Sequence, residues 1–593
     1  MQKKLLMKSF IKVRYILLGK FLKDSISEDR TYFALTLIVG FISAMVVIAL
    51  HHGVLYLREV FKTSGSFTWE SFLYGGVAIF VSGWLTTRKL PWTAGSGIPN
   101  VRIALAVFHG KISLKDTVGK FFTSLLSLGS GVSLGLEGPA VATCSGLGSF
   151  LGNYFSLSKK RVQALVAVGS ASGVAAAFHT PISAVVFTLE EVVGDLNAKI
   201  LGSIIISSVI AVVTSQMLTN TTEIFQEVHY RLVDHRELIF YLVIGLTASV
   251  IGPIWMNTVL KFREFNQKYM NNHKLSFIMI AFCCVGLLSQ IHPGVIGSGS
   301  GTLEGTLLSL ILDPKILITL FLLKFISTSI CYSSGMSGGL FMPTLFMGAT
   351  MGSFIGVTCS YFFPEITTMS GAYALVGMGA FFATVIRAPF TSILMVFELT
   401  RDYNIMLPLM IANITAYVIS AKIENKSIYE KISEQDGIHL PSHEDNEILE
   451  SLNVEDAMER NVISLNSSLT LIEAYKGVRK ESISGYPILK NGRLIGMIAK
   501  SDMSAAIGRK EFQKKLEHLC EKKVIKIYPD QSLMVAFHRL KRFQISRLPV
   551  VSRLDDKRVV GVITAQDIVK KFGYELNETS KEMEDLLEDT EIT

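Results

Sequence analysis

At 593 residues the chain has room for roughly three or four domains, but only 18% of it is charged and 49% is hydrophobic. Ordinary soluble proteins carry about a quarter charged residues, so this balance excludes a purely soluble enzyme, and 47 Gly with only 15 Pro excludes collagen-like and disordered classes. The net charge of +8 is uneven: residues 1–30 hold eight Lys/Arg against three Asp/Glu, and the tail after Phe572 is acidic. That suits a membrane surface and not a nucleic acid, because no basic stripe with interleaved aromatics is present.

The N-terminal stretch Met1–Lys23 mixes Lys3, Lys4, Lys8, Lys12 and Arg14 with Leu5, Leu6, Phe10 and Ile11. A cleavable signal keeps its charges ahead of one apolar run, so this reads instead as a basic amphipathic segment, residues 1–31, on a cytoplasmic face. From Tyr32 onward come apolar stretches, among them Tyr32–Leu57, Ser71–Leu85, Val162–Val192, Leu238–Val259, Ile316–Cys331, Leu340–Phe363 and Ile405–Ile419. Several fall short of the roughly 20 residues of a straight span and many are broken by Gly, Ser or Pro. The expectation is an α-helical polytopic membrane domain over residues 32–429, with helices that stop inside the bilayer around a cavity. The six cysteines lie mostly in apolar runs without metal-ligand spacing and read as buried thiols.

The membrane region repeats itself. Lys120-Phe121-Phe122-Thr123 stands ahead of Pro139 as Lys324-Phe325-Ile326-Ser327 stands ahead of Pro343, and Gly95-Ser96-Gly97 precedes the first as Gly297-Ser298-Gly299 precedes the second. Pro181 leads to Glu190 as Pro389 leads to Glu398. Matches in one order imply two homologous halves with a site between them, read here as an inverted repeat.

Three Gly-rich motifs carry the chemistry: Gly95-Ser96-Gly97-Ile98-Pro99, Gly135-Leu136-Glu137-Gly138-Pro139 and Gly338-Gly339-Leu340-Phe341-Met342-Pro343. Glycine exposes backbone N–H groups and proline favours a first helical turn, so each motif reads as the start of a half-helix whose free amides point at one place. Amides and a Ser96 hydroxyl, without Lys or Arg, make a weak anion site, which is what an ion that must leave again requires. Glu137, at such a helix start, stands where an anion would bind and can compete with it when ionised. Lys120, Lys324, Arg387 and Glu398 read as structurally paired charges. No histidine (His51, His52, His109, His179) is set with Ser or Cys as a nucleophile–base pair, so the chain is not read as an enzyme and no catalytic or metal-ligating residue is assigned.

The motifs GSGIP, GLEGP, GGLFMP, AAFHTPISAVVFTLEE and the late Tyr429 in NKSIYE make residues 32–430 resemble the CLC family of chloride channels and proton-coupled chloride transporters. The resemblance implies a homodimer in the lipid bilayer, of the prokaryotic type, in a bacterial inner membrane with both termini cytoplasmic. It places the anion on Ser96, Gly97, Ile98, Leu340, Phe341 and Tyr429. It makes Glu137 the gate, and Glu191 a second, inward-facing glutamate of proton-coupled members; Glu190 is carried beside it as part of the proton pathway. Ser96 resembles the chloride-preferring form of the motif, where a proline marks nitrate-preferring relatives. Leu136 departs from the family's usual Arg. The implied function is exchange of chloride for protons, with a passive chloride channel as the alternative.

Beyond a linker at residues 430–451, residues 452–507 (SGYPILKNGRLIGMIAKSDM) and 521–572 (SRLPVVSRLDDKRVVGVITAQDIV) resemble a tandem pair of α/β CBS modules, followed by the acidic tail 573–593. Each reads strand–turn–strand–helix. No cofactor is required. The resemblance implies an adenine nucleotide at Thr564 and Asp567 of the second module, while the first has Ala499 where that threonine would stand, with Asp502 kept.

Overall fold

The computed structural model describes residues 25–194, 200–219, 234–270, 273–438, 449–478, 485–521, 523–543 and 545–571. The expected amphipathic N-terminus up to residue 24, residues 439–448 of the linker and the acidic tail lie outside them, and the linker's expected start at 430 is instead part of the helix Ile428–Gln435 of the first unit. Residues 1–440 and 441–593 form separate compact units.

In the first unit α1 (Ser25–Val60) and α2 (Trp69–Trp84) lead to α3 (Ile98–Ala106), α4 (Leu114–Gly129), α5 (Glu137–Tyr154), α6 (Lys159–Phe178), α7 (Pro181–Phe187) and α8 (Leu201–Thr219). The same order of longer and shorter helices recurs in α9 (Leu238–Tyr269), α10 (Lys274–Leu288), α11 (Ser300–Leu307), α12 (Pro314–Ser333), α13 (Phe341–Phe362), α14 (Ser370–Ile386), α15 (Pro389–Thr400) and α16 (Met406–Ile423), closed by α17 (Ile428–Gln435). Among the described residues seven helices are long and apolar enough to cross a membrane.

Local chemistry repeats with the helices. Gly97 and Gly299, both left-handed (φ 91° and 78°), cap the short α3 and α11. His179 and Arg387, also left-handed (φ 58° and 65°), end α6 and α14 just before Pro181 and Pro389. Prolines at the starts of α3, α7, α12 and α15 sit where a backbone N–H has no intrahelical acceptor.

The orientation of the halves is read from two carboxylates. Glu190 accepts hydrogen bonds from the backbone N–H groups of Phe390 (3.3 Å) and Thr391 (2.9 Å) and from the Thr391 hydroxyl (2.7 Å). Glu398 accepts the equivalent three from Ile182 (2.9 Å), Ser183 (2.7 Å) and the Ser183 hydroxyl (2.6 Å). Each glutamate lies at the end of its own segment and caps the start of the other. Equivalent helices α7 and α15 therefore run antiparallel, and the repeat is inverted.

Two sequence expectations change here. Val162–Val192 is two helices, because His179 and Thr180 turn the chain. α4, α5 and α14 were not among the apolar runs expected: α4 and α5 are interrupted by Gly, Ser and Thr, whereas α14 is itself an apolar helix, buried along its whole length. Only Cys144, Cys331 and Cys520 are buried thiols. Cys283 is exposed and Cys284 and Cys359 half-exposed.

Small residues let the inner helices touch backbone to backbone. A Cβ on Gly377 would lie 2.4 Å from the Gly348 carbonyl oxygen, and one on Gly169 only 2.2 Å from that of Cys144. Gly377→Val is expected to destabilise the membrane unit by about 3 kcal/mol through overpacking. Gly202, with open space around it, should tolerate alanine. Thermal unfolding of the two variants in detergent checks the contrast; equal melting temperatures would show that α13 and α14 can separate freely.

In the second unit α18 (Val454–Ala457) precedes a sheet in which β1 (Leu465–Asn466) pairs parallel with β2 (Gly485–Lys490), itself antiparallel to β3 (Arg493–Ala499). α19 (Leu471–Val478) and α20 (Lys500–Gly508) cover it; α21 (Leu533–Phe543), β4 (Arg547–Val551) and β5 (Val559–Thr564) form the second module. The modules exchange segments. Leu452 and Val454, ahead of the first, pack in the core of the second with Leu533, Val550 and Ile563, whereas Leu516 and Cys520 complete the core of the first. Backbone bonds between Glu459 and Val562 (2.9 and 3.0 Å) seal the exchange.

Candidate anion and proton site

The three Gly-rich motifs meet. Gly135 and Gly339 exchange backbone hydrogen bonds (2.8 and 2.7 Å), and Gly95 donates to Met336 (3.1 Å) while accepting from Gly338 (3.0 Å). Side chains at these positions would block the junction. A Cβ on Gly138 would stand 2.2 Å from the Ser96 hydroxyl, and one on Gly135 2.3 Å from Glu137 Oε2. The starts of α3, α5 and α13 thus converge, each contributing N–H groups without intrahelical acceptors. α3 is a short half-helix as expected; α5 and α13 are full-length helices of 18 and 22 residues.

Ser96, Glu137 and Tyr429 are buried at this junction, and Ser96 Oγ, Glu137 Oε2 and Tyr429 Oη have no hydrogen-bond partner within the protein. The Tyr429 hydroxyl faces Ser96 and Tyr332, and the Glu137 carboxylate lies by its own N–H and that of Met342. Buried polar groups are nearly always paired, so three unpaired ones together mark a place built for a ligand. The donor set is hydroxyls and helix-start amides, the chemistry of an anion site. Gly97, Ile98, Leu340 and Phe341 all belong to these helix starts. The Phe341 ring is held between Phe178 (5.0 Å) and Phe382 (4.6 Å). A cavity of about 470 Å³, lined by Ser96, Gly97, Tyr332 and Arg263, leads to the site.

The buried lysines do not enter it. Lys120 donates to the carbonyls of Thr93 (2.9 Å) and Gly95 (2.6 Å), and Lys324 to those of Val295 (3.2 Å) and Gly297 (2.6 Å). Each cation thereby holds the Gly-Ser-Gly loop of its own half. Arg387 donates to the Tyr417 carbonyl (3.0 Å) and Ser420 (3.1 Å).

Glu190 and Glu191 part company. Glu190 is not brought to the anion site, being occupied as the cap of α15. Glu191 lies in a wide π-helical turn, Thr188–Val193, that continues α7; such turns re-aim side chains and are frequent at functional sites. Its counterpart in the other half is Leu399. Glu191 is buried, forms an ion pair with Arg102 and accepts from the Ser427 hydroxyl (2.9 Å). Arg102, Ser427 and Glu430 were not singled out from sequence. An arginine in the otherwise apolar run Ile98–Ala106, one turn into a helix that begins at the anion motif, was the available signal.

In the second unit Thr564 and Asp567 are brought together: Asp567 accepts from the Thr564 N–H (2.8 Å) and hydroxyl (2.7 Å), and its own N–H reaches the Thr564 hydroxyl (3.3 Å). This reciprocal cap starts the helix at 565–571. Ala499, at the equivalent place in the first module, makes no side-chain cap.

An inverted pair of helix sets with a buried, partly unpaired candidate anion site at their meeting point has the architecture of a membrane transport protein. The family model for voltage gated chloride channels matches residues 75–421, and that for CBS domains matches 454–509 and 516–574. The chain belongs to the CLC family and carries a C-terminal CBS pair. It is 29% identical over 437 residues to the H⁺/Cl⁻ exchange transporter ClcA of Vibrio cholerae, covering 70% of this chain and 93% of that one. It is 31% identical over 380 residues to a provisionally named ClcB-like chloride channel protein of Ralstonia nicotianae, covering 63% and 88%. Among solved structures it resembles a slow cyanobacterial Cl⁻/H⁺ antiporter (TM-score 0.62, 24% identity, 68% of this chain and 98% of that one). A eukaryotic CLC transporter gives TM-score 0.62 at 19% identity, over 91% of this chain and 98% of that one.

Proposed function

We propose that the protein exchanges chloride for protons across a membrane, with one pathway in each subunit of a homodimer. The observation that carries the reading is the pair of buried carboxylates on different footings. Glu137 sits at the anion site itself, and Glu191 is a second buried acid in a turn that the other half lacks. Chloride rests on Ser96, Tyr429 and the amides of the helix starts, while protons, which such groups cannot carry, pass by way of Glu137 and Glu191. When ionised, Glu137 takes the anion's place at the helix starts; when protonated, it leaves. The names of the ClcA relatives support exchange; the ClcB-like relative names the rival, a passive channel. The bacterial relatives support placement in an inner membrane.

Reconstitution into liposomes, with chloride and proton fluxes recorded together, tests this. Chloride moving down its gradient is expected to drive protons the other way. Chloride flux with no proton movement would hand the protein to the channel reading.

Ser96 sets anion preference in this scheme, since its unpaired hydroxyl adds a donor to a site otherwise rich in amides. Ser96→Pro should raise nitrate flux relative to chloride by about tenfold, the effect of roughly one hydrogen bond to a charged group. An unchanged ratio would remove Ser96 from selectivity.

We also infer that the CBS pair binds an adenine nucleotide on the Thr564 side, where the cap residues can turn outward to ribose and phosphate. Calorimetric titration of the full-length protein with ATP, ADP and AMP is expected to give heat that Asp567→Ala removes. Absence of heat with all three would leave the pair as a scaffold.

A further inference from the structure

Arg102 belongs to α3, whose first residues follow Ser96, and its side chain is 13% exposed. It forms the ion pair with Glu191 and reaches Glu430 at 3.3 Å and the Ser427 hydroxyl at 3.4 Å. Ser427 caps α17, which carries Tyr429, and Glu430 closes that capping box. One buried cation therefore serves two carboxylates, and the cluster bears a net charge of −1 when both are ionised.

We propose that Arg102 and Glu430 form a counter-charge switch for Glu191, so that this acid can take up and release a proton without stranding a buried charge. The proposal rests on the exchanger reading. With Glu191 ionised, Arg102 bridges the two acids. When a proton adds to a Glu191 oxygen, the cluster goes from −1 to neutral and Arg102 remains a guanidinium paired with Glu430. Without Glu430, protonation of Glu191 would leave that cation buried and alone, a state that strongly disfavours the step. Without Arg102, two acids would face each other and one would hold its proton more tightly.

Among the described residues the other surroundings of Glu191 supply no substitute, since the remaining charges of α17, Lys431 and Glu434, pair with Glu424 and Lys426. α7 has no titratable residue, and α6 carries its charges only at Lys159, Lys160 and Arg161 in the first turn. Arg102 is the sole charge of α3. The neighbouring Glu190 is committed to α15, and the Tyr429 hydroxyl is within electrostatic reach of Glu191 but uncharged. Arg102 and Glu430 are accordingly positioning residues, acting on the proton through Glu191.

The test is the pH profile of proton flux in liposomes for the wild type, Glu430→Gln, Arg102→Gln and Arg102→Lys. The two neutralising variants should move the midpoint in opposite directions: Glu430→Gln toward lower pH and Arg102→Gln toward higher pH, each by about one unit, with Arg102→Lys close to the wild type. Loss of a merely structural contact would lower both rates without opposed shifts. Midpoints that stay put or move together overturn the proposal while leaving the exchanger reading intact. A wild type that moves no protons ends both. Should Arg102→Gln fail to fold, Glu430→Gln decides, because Glu430 is partly exposed (21%) and only a shift toward lower pH agrees with the switch.

Discussion

Glu191→Gln is expected to lower proton flux by about 100-fold or more while chloride flux persists. A buried carboxylate that relays a proton contributes on the order of 10²–10⁴ in rate, and glutamine has the same shape without a titratable oxygen. In the proposed scheme the anion path is left alone, because Ser96, Tyr429 and the amides of α3 and α13 make it, and Glu191 is turned toward Arg102 and Ser427. The amide can still accept from Ser427, so the start of α17, and with it Tyr429, keeps its cap. Chloride and proton fluxes measured in the same liposomes separate the outcomes. Proton coupling at the wild-type ratio in Glu191→Gln would remove this residue from the pathway.

Glu137→Gln is expected to act on both ions. Proton coupling should vanish, and chloride flux should lose its dependence on pH, since the neutral amide imitates the protonated gate at every pH. Removing a negative charge from the converged helix starts should also tighten chloride binding by about tenfold, a helix-terminus effect of roughly 1–2 kcal/mol in a partly buried setting. Calorimetric chloride titration of the purified variant reads the second effect and flux against pH the first. A chloride flux that still varies with pH as in the wild type would show that another group gates the path. Leu136 makes the site a demanding test, because no arginine beside Glu137 remains to steady it.

Much of this was legible in one dimension. The ordered recurrence of Lys120 with Lys324, Gly95 with Gly297 and Pro181 with Pro389 announced two halves, because each half solves the same problem of starting and stopping helices around a cavity. The three Gly-rich motifs announced the junction at which they meet, because only glycine allows the close approaches seen at Gly135 and Gly138. α4 and α5 were harder to see. They are interrupted by Gly, Ser and Thr, so composition says little about where they run, whereas the apolar run of α14 stood in the sequence and was passed over.

What the sequence by itself determined is the set of local devices: helix starts at Pro and Gly, the motifs that present amides and a hydroxyl, the carboxylates embedded in apolar runs, and the two CBS-like segments. What only the tertiary structure decided is which charge answers which. Glu190 and Glu191 are neighbours in sequence, yet one caps a helix of the opposite half and the other pairs with Arg102. The π-helical turn and the antiparallel setting of α7 and α15 send adjacent side chains to different partners. The same holds for Lys120 and Lys324, whose charges are spent on the carbonyls of their own Gly-Ser-Gly loops, and for the CBS cores, completed by Leu452 and Val454 from ahead of the first module. Such pairings join residues up to hundreds of positions apart, and burial selects them because an ion or polar group inside the fold is stable only beside the partner that the folded chain brings to it.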